Sequence, residues 1–406
     1  MMDKLAIDGG SKAFDIAKTP VPGWPPVYPE TEKLLVEIYR SHAWSFNGKY
    51  ELQFDDEFAK YHDAKSGIFM VNGTVTLECA LAALGVGQGD EVIVPAHTWI
   101  ATGMAPLYVG ATPVIVDIEA DTFCMSPAAF EAAITPRTKV VIPVHLFGSM
   151  ANIDEIKAVA DKHGIAVLED CAHAHGAKWN GRGAGSIGDI GSFSFQQSKT
   201  MTSGEGGICI TSDERLTERL DRLKHIGYPR GTAQGKKAGP PEEGLLCHNY
   251  RATEFQAAIL LGQLHHLEAD TAYRENNAEY LRKRIDALPG VHMQSRGKKA
   301  TTQSFYMFAF ALETERLKAG IDRLKVIEAL RAEGIDPGLG WNGATLYKQD
   351  LWNIPKDKYR IESTDNALDI CGSRQLVFSL YWLNAERAAL CSFADAFEKV
   401  MTTYAE

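Results

Sequence analysis

The chain has 406 residues, of which 45% are hydrophobic, and its 42 basic and 52 acidic side chains give a net charge of −10. This length suits two domains with a sizeable core, and the acidic balance argues against a protein that binds nucleic acid or an anionic membrane. No run approaches the ~20 apolar residues of a membrane helix, and the first residues lack the apolar segment of a signal peptide. The seven scattered cysteines are odd in number and contain no CxxC motif, which favours reduced thiols and a cytoplasmic location.

The N-terminal half of the chain predicts an arm, two helices and an α/β sheet. The proline-rich residues 19–29 indicate an extended arm, and helical patterns follow at residues 34–39 and 54–61. From Gly67 onward short apolar runs alternate with helical patterns, which predicts a largely parallel sheet with helices on both faces. The predicted strands are Ile68–Val71, Glu91–Val94, Thr112–Val116, Val140–Pro143, Ala166–Leu168, Ile190–Phe195 and Ile208–Thr211.

The first strand is followed by a candidate phosphate site. The apolar run breaks at Asn72-Gly73, and Thr74 precedes a helical pattern. Free N–H groups at a helix start can cradle a phosphate, and a threonine hydroxyl can add a bond. Threonine is also a common N-terminal cap of an ordinary helix, so the residues leave both interpretations open.

The fifth strand is followed by a candidate functional carboxylate. Asp170 falls just past the end of Ala166–Leu168, and open α/β sheets bind ligands outside the carboxyl ends of their strands. An aspartate at this point can hold a pyridine nitrogen in its protonated form, or it can simply cap a helix. His173 and His175 lie nearby without a third ligand, so we expect no metal site.

Lys199 lies in a short connection between two predicted core strands, 29 residues after Asp170. Three of the four residues from Gly204 to Gly207 are glycine, which indicates backbone that only glycine tolerates. A lysine held near a low-dielectric core loses its charge readily and can form a Schiff base. The alternative is a surface lysine in an ordinary hairpin.

The remaining chain predicts a long loop and a smaller domain. Residues 226–248 are rich in glycine and proline, and loops of this length are often functional. We expect a large domain with its arm at residues 1–285 and a small α+β domain at residues 286–406. The predicted elements are helices at 252–267, 271–288, 323–333 and 385–402 and strands at 305–311 and 375–380.

Several segments together resemble the DegT–StrS family of sugar and aminocyclitol aminotransferases, which are pyridoxal-phosphate enzymes of the aspartate-aminotransferase fold (fold type I). The resemblance covers most of the chain from about Ala6, and the motifs occur in the family's order and at similar spacing. The segments that carry it are residues 72–74, 95–102, 143–148, 169–173, 192–207 and 248–251.

The resemblance implies an α/β fold in which helices sandwich the mostly parallel sheet of the large domain, with a smaller α+β C-terminal domain. It also implies pyridoxal 5'-phosphate as cofactor. Lys199 would form the Schiff base, Asp170 would pair with the pyridine nitrogen, and His173 would lie near the phenolic oxygen of the ring. The other implied cofactor contacts are those of Gly73, Thr74 and Ser194 with the phosphate, of Trp99 with the ring, and of Asn249 with the phosphate of the neighbouring subunit.

The implied active unit is a homodimer with shared sites. Structural interpretations stay open for three of these residues: Trp99 as part of the core, Ser194 as a strand serine, and Asn249 as a helix cap.

The implied reaction is a ping-pong transamination between small molecules. Segments 171–176 and 196–207 look closer to members that aminate cyclitol ketones with L-glutamine. A site for the side-chain carboxylate of L-glutamate is expected to contain arginine, whereas the residues around Lys199 are neutral. Arg230 and Arg251 could still fold into the site and reverse this preference.

Four alternatives remain. The first is an aminotransferase that acts on a keto-sugar carried by a nucleotide diphosphate and uses L-glutamate. The others are an enzyme resembling aminohydroxybenzoate synthase, a pyridoxal-phosphate-dependent sugar dehydratase, and a non-catalytic regulatory relative. The resemblance leads us to expect histidine at position 199 in a dehydratase, and a protein that only binds has no need to keep both Asp170 and Lys199.

Overall fold

A computed structural model describes residues 4–46, 48–233 and 235–406. The α-helices are α1 (Pro29–Ser41), α2 (Lys49–Tyr61), α3 (Gly73–Ala83), α4 (Ile100–Tyr108), α5 (Pro127–Ala133), α6 (Ile153–His163), α7 (Glu214–Lys224), α8 (Glu254–Ile285), α9 (Arg323–Ala332), α10 (Asp365–Asp369) and α11 (Arg387–Tyr404). The strands are β1 (Ser66–Met70), β2 (Glu91–Pro95), β3 (Thr112–Val116), β4 (Thr138–Val141), β5 (Ala166–Asp170), β6 (Lys178–Trp179), β7 (Arg182–Gly183), β8 (Ile190–Ser194), β9 (Gly207–Thr211), β10 (Val291–Met293), β11 (Ala300–Thr302), β12 (Met307–Leu312), β13 (Arg360–Ile361) and β14 (Gln375–Ser379).

The central sheet has eight strands in the order β1-β9-β8-β5-β4-β2-β3-β13. The six strands from β8 to β13 in this order are parallel, and β9 runs antiparallel to both of its neighbours, β8 and β1. Strands β1, β2, β5 and β8 therefore all end at the same edge of the sheet. Helices flank this sheet, and the predicted α/β architecture is confirmed.

All seven predicted strands are present, with small shifts at their ends. They were recognisable because a strand buried on both faces consists of consecutive apolar residues. Every residue of β2, β8 and β9 is buried. The two-residue strand β13 was not predicted, because its residues 360–361 are too few for any pattern.

The prediction of two helices at residues 252–267 and 271–288 was wrong. Helix α8 is continuous over 32 residues from Glu254 to Ile285. Neither glycine nor proline interrupts the polar residues between Leu267 and Thr271, so the backbone has no reason to break. Within and next to this stretch, Asp270 Oδ2 accepts from the Tyr28 hydroxyl at 2.7 Å and Arg274 Nη2 donates to Thr271 Oγ1 at 3.1 Å.

Two groups of buried apolar side chains form the interior. One surrounds the eight-stranded sheet, and the other surrounds the antiparallel sheet β10-β12-β14 together with α9, α11 and the end of α8. Leu5 and Phe14, near the N-terminus, belong to the second group. The domain division at residue 285 stays a prediction.

The proline-rich arm lies against the connection that carries Lys199. Trp24 Nε1 donates to the carbonyl oxygen of Gln197 at 3.1 Å, and its indole stacks on the Tyr381 ring with centroids 6.0 Å apart. The arm, which was expected to lie across the surface or on a partner, thus contacts its own chain at these two residues.

No helix in the described part of the chain is both long and apolar enough to cross a bilayer. The cysteines, most of which are buried, are free thiols.

A buried group of charges anchors the long loop predicted at residues 226–248. Lys224 Nζ lies 2.6 Å from Glu51 Oε1, and the Arg230 guanidinium lies 3.1 Å from Asp55 and 3.0 Å from Asp221. Burial raises the pKa of Asp55 to about 7, although Lys224 and Arg230 act in the opposite direction. Because Arg230 belongs to the loop, its two ion pairs attach the loop to α2 and α7.

Replacing Lys224 by methionine should destabilise the protein by about 3–5 kcal/mol, because the buried carboxylates of Glu51 and Asp55 would lose a neighbouring cation. Urea unfolding of the purified variant measures this loss. The matched control is Lys162→Met, which breaks the exposed pair with Glu131 and should cost less than about 1 kcal/mol. Similar losses in the two variants would contradict the assignment of the cluster as a buried anchor.

Candidate active site

A cavity of about 740 Å³ opens at the edge of the sheet where β1, β2, β5 and β8 end. Seven of the eight residues predicted to form the site lie in its wall: Gly73, Thr74, Trp99, Asp170, His173, Ser194 and Lys199. Thus the structure brings together residues from distant parts of the chain.

Sheet topology explains this convergence. Asp170 is the last residue of β5, Ser194 is the last residue of β8, and Lys199 lies in the connection from β8 to β9. Strands β5 and β8 are parallel neighbours, with Asp170 opposite Ser192. The carboxyl ends of parallel strands meet at one edge, so their terminal side chains must approach one another.

The eighth predicted residue, Asn249, lies elsewhere. It is exposed, forms an isolated bridge with His225 and is not part of the cavity wall of its own chain. The interpretation of Asn249 as the cap of the following helix does not hold, because α8 begins at Glu254 with Thr253 as its cap. Its predicted contact with a neighbouring subunit stays a prediction.

The start of α3 forms one end of the cavity. The helix begins at Gly73, and the side chain of Asn72 caps it by accepting from Val75 N at 2.9 Å. Thr74 is therefore not the cap, and its amide and that of Gly73 remain as donors at the positive end of the helix. A Cβ atom on Gly73 would lie 2.5 Å from Ser194 Cβ, so the close approach of the two segments requires glycine.

Asp170 is 4% exposed and holds two hydrogen bonds. Its Oδ2 accepts from the Thr102 hydroxyl at 2.8 Å, and its Oδ1 accepts from Ala172 N at 3.1 Å. Burial raises the pKa of the Asp170 carboxyl above its usual value, while these two bonds and the charge of Lys199 act against that rise. The two donors thus favour the ionised carboxylate.

Lys199 places its amine over an aromatic ring. Nζ lies 4.5 Å from the centroid of Tyr306. Burial lowers the pKa of Lys199 to about 8, although the Asp170 carboxylate raises it. Lys199 N donates to the Gln196 carbonyl at 2.8 Å, which holds the connection in a tight turn. A buried amine with this pKa is partly neutral, and hence nucleophilic, near neutral pH.

His173 lies between two aromatic rings. Its ring centroid is 4.2 Å from that of Tyr306 and 6.0 Å from that of Phe147. Burial, together with the charge of Lys199, holds the pKa of His173 well below its usual value, so the ring is neutral. Phe147 N donates to Nδ1 at 3.3 Å, which leaves the proton on Nε2.

A neighbouring buried cluster has a structural role. His145, Glu169 and Cys171 bring potential metal-ligating atoms close together. The Glu169 carboxylate, however, accepts from His145 Nε2 at 2.9 Å and from three backbone amides, those of residues 185, 187 and 188. The hydrogen-bonding capacity of this carboxylate is therefore already used. The expectation of no metal site stays a prediction.

Sequence analysis missed three aromatic residues of the cavity wall, Tyr108, Tyr306 and Trp341, and assigned no role to Thr102 or Glu78. Tyr306 fell within the strand predicted at residues 305–311 but precedes β12, and that pattern did not mark it as a site residue. Trp341 lies among the glycines of residues 338–343, and this glycine density could have indicated a tight turn. Its φ of 41° is a rare conformation for a bulky side chain and is typical of functional sites.

The residues present fit pyridoxal phosphate. The Lys199 amine can bond to an aldehyde carbon, the buried Asp170 carboxylate can pair with a ring nitrogen, and the Gly73–Thr74 amides can hold a phosphate. The indole of Trp99, which is 44% exposed, offers an aromatic face.

The fold is also that of solved enzymes of this kind. A crystal structure of 3-amino-5-hydroxybenzoic acid synthase superposes with a TM-score of 0.84 at 31% identity, covering 95% of this chain and 100% of that one. The fold and site define a pyridoxal-phosphate-dependent enzyme of fold type I.

The chain belongs to the DegT/DnrJ/EryC1/StrS aminotransferase family, whose profile matches residues 28–374. The L-glutamine:2-deoxy-scyllo-inosose aminotransferase of Streptoalloteichus tenebrarius is 40% identical over 338 residues, covering 81% of this chain and 78% of that protein. The Micromonospora echinospora protein of the same name is 38% identical over 421 aligned positions, covering 100% of this chain and 99% of that protein. The predicted family, fold class, cofactor and aminotransferase activity are confirmed.

We expect the cofactor-free protein to bond pyridoxal phosphate at Lys199 with a rate that rises through a midpoint near pH 8 and levels off above it. The amine reacts only after losing its proton, and burial lowers its pKa to about 8. Borohydride trapping at a series of pH values, followed by peptide mapping, measures this rate. Lys199→Ala is the control and should yield no trapped peptide. A midpoint near ~10, the usual value for lysine, would contradict the assignment.

Proposed function

We propose that this aminotransferase moves the amino group of L-glutamine to the ketone of a cyclitol ring by a ping-pong mechanism. The observation that carries the proposal is the cavity wall: among the described residues that line it, Lys199 is the one cationic side chain, and there is no arginine. The two relatives named above, L-glutamine:2-deoxy-scyllo-inosose aminotransferases, act on this pair of substrate classes.

The charge of the wall supports glutamine as donor. The two arginines that could have entered the site do not line the cavity. The guanidinium of Arg230 is held by Asp55 and Asp221, and that of Arg251 stacks over the Phe46 ring at 5.1 Å. The side-chain carboxylate of glutamate would thus lack a bidentate partner within this chain, whereas the glutamine amide is neutral.

The same wall supports a neutral, hydroxyl-rich acceptor. It contains the carboxylates of Glu78 and Glu205 and the polar side chains of Gln196 and Ser198. Carboxylates and amides can accept from ring hydroxyls. The two glutamates would repel a nucleotide diphosphate, which argues against the nucleotide-sugar alternative.

The proposed role of Lys199 is to bind the cofactor and then to move the proton. When bound, pyridoxal phosphate supplies an electron sink for the carbon next to the transferred nitrogen. The Nζ amine is neutral in part near pH 8. It would take a proton from the α-carbon of the amino donor and return it to the aldehyde carbon of the cofactor. The backbone turn at Gln196 and the Trp24 contact with Gln197 keep its connection in place.

The other site residues are proposed to bind and orient the cofactor. Asp170 would balance the charge of a protonated ring nitrogen, and His173 would donate from Nε2 to the phenolic oxygen. Gly73, Thr74 and Ser194 would bind the phosphate, and Trp99 would cover the ring. A homodimer in which Asn249 reaches the partner's phosphate site, and a cytoplasmic location, remain part of the proposal.

In the first half-reaction we expect L-glutamine to convert the bound cofactor roughly tenfold faster than L-glutamate at equal concentration, because a buried carboxylate without a partner is costly. Stopped-flow loss of the cofactor's long-wavelength absorbance measures both rates. Lys199→Ala serves as the control and should show no conversion. A faster reaction with glutamate would restore the nucleotide-sugar alternative.

The amino form of the enzyme produced in this way then tests the acceptor. A neutral keto-cyclitol should restore the original absorbance, whereas a keto-sugar on a nucleotide diphosphate should not. Recovery only with the keto acid of the donor would refute the proposed acceptor class. Recovery only with an aminohydroxybenzoate precursor would favour the synthase alternative.

Mixing inactive Lys199→Ala subunits with inactive Asn249→Ala subunits should restore activity, because one of the two sites in each mixed dimer would contain both native residues. Random exchange would give about a quarter of the wild-type activity. The measurement is turnover after co-refolding or subunit exchange.

The matched control for this experiment mixes Lys199→Ala with Asp170→Ala. Both residues lie in one cavity of one chain, so the mixture should remain inactive if each chain supplies both to its own site. Restoration by this control pair, or a fully active monomer in sedimentation, would exclude the proposed sharing through Asn249.

A further inference from the structure

Beside the cavity, the hydroxyls of Thr98 and Thr102 form a hydrogen-bonded relay that ends at Asp170. Thr98 Oγ1 lies 2.8 Å from Thr102 Oγ1, which lies 2.8 Å from Asp170 Oδ2. The two threonines are each 1% exposed, so water does not compete for these bonds. No role for either hydroxyl follows from the function proposed above.

The direction of these hydrogen bonds follows from their chemistry. An ionised carboxylate accepts only, so the Thr102 hydroxyl must donate to Asp170. A hydroxyl has a single proton, and therefore the Thr102 oxygen must accept from the Thr98 hydroxyl. Each donor in such a series strengthens the next bond, so both hydroxyls favour the negative charge on Asp170.

The surrounding structure holds this relay in position. Thr102 lies in the first turn of α4, and Thr98 lies two residues before that helix begins. Gln349 Nε2 donates to the Thr98 carbonyl oxygen at 2.9 Å. A Cβ atom on Gly103 would lie 2.7 Å from the Leu346 side chain, which shows how closely the 346–349 segment packs on α4. The hydroxyls therefore have little freedom to turn away.

We propose that Thr102, supported by Thr98, is a positioning residue that keeps the shared proton on the cofactor's ring nitrogen and off Asp170. The inference rests on the proposed pairing of Asp170 with that nitrogen. Without the Thr102 hydroxyl the carboxylate would have a single direct donor, Ala172 N, in a buried environment. Its affinity for the proton would rise, and the proton would move from the ring nitrogen toward Asp170.

Other charged groups around Asp170 do not replace this donor. Lys199 and His145 are the titratable groups that would lower its pKa when charged. The Lys199 amine is used in bonding the cofactor. His145 accepts from Ala151 N through Nδ1 and donates to Glu169 through Nε2, so both of its ring nitrogens are already engaged. Thr102 is thus the side-chain donor to Asp170 in the described structure.

The test uses the holoenzyme and the absorbance of its lysine-bound cofactor, which needs neither donor nor acceptor. The nitrogen that joins Lys199 to the cofactor carries a proton, whose loss changes the absorbance. A protonated ring nitrogen lowers the pH midpoint of that loss. Thr102→Val, which is nearly isosteric, should raise that midpoint and lower kcat about tenfold or more, with a smaller effect on the donor KM. Thr98→Val should shift the midpoint less, in the same direction.

Thr102→Ser is the matched control, because it keeps the hydroxyl and should retain the wild-type midpoint. Thermal unfolding of the cofactor-free variants distinguishes a loss of stability from a change at the ring nitrogen. Thr102→Val, Thr98→Val and Thr102→Ser should all melt close to the wild type. A wild-type midpoint in Thr102→Val, or equal shifts in Thr102→Val and Thr102→Ser, would overturn the inference.

Asp170→Asn distinguishes this inference from the proposal on which it rests. If Asp170→Asn shifts the midpoint or prevents cofactor binding while Thr102→Val has no effect, the relay alone is wrong. If Asp170→Asn binds the cofactor with an unchanged midpoint, the proposed role of Asp170 fails and the relay fails with it. Neither outcome depends on glutamine or on the cyclitol acceptor.

Discussion

The pairing of β5 with β8 as neighbouring parallel strands is the constraint on which the site depends. It places Asp170 and the connection bearing Lys199 at one edge of the sheet, where Asp170 is buried and Lys199 is half-buried. Burial disfavours the charge on each of them, and so raises the pKa of the carboxyl and lowers that of the amine. Removing the Lys199 amine from water costs folding free energy, and it also lowers the pKa of the amine and so makes it reactive. Active sites commonly combine such a cost in stability with a gain in function.

Strand β5 separates a functional carboxylate from a structural one at consecutive positions. Side chains alternate between the faces of a strand, so Glu169 and Asp170 point to opposite sides. Glu169 accepts three backbone amides and the His145 ring, and its charge is compensated within the fold. Asp170 has two donors, Thr102 and Ala172 N, and its carboxylate still lines the wall of the cavity. The number of fixed donors therefore distinguishes the two roles.

The C-terminal part of the chain completes a site that the large sheet begins. Tyr306 lies under the Lys199 amine and stacks on His173, and Trp341 stacks on Phe147. The Tyr306 and Ser198 hydroxyls are 2.9 Å apart, and Ser198 in turn donates to Gln196. These contacts restrict the Lys199 connection from the side opposite the sheet, so the position of the C-terminal elements bears directly on the geometry of the amine.

The sequence by itself determined the strand pattern, the order of the motifs and the candidate pair Asp170 and Lys199, because buried parallel strands and glycine-bounded turns leave local signals. It also indicated a helix start close after Asn72-Gly73, although the cap is Asn72 and not Thr74. The continuity of α8 was beyond it, since the polar residues Glu268 and Asp270 resemble a helix boundary although the helix continues through them.

Only the tertiary structure decided which distant residues meet at the site. Tyr306 and Trp341 follow Lys199 by more than a hundred residues, and no local pattern records a contact of that range. The position of Arg230 was decided in the same way, since its guanidinium pairs with Asp55 and Asp221 from two other helices. The hydrogen bond from Thr102 to Asp170 likewise depends on α4 packing beside the end of β5, because bonds between side chains far apart in sequence exist only after the chain has packed.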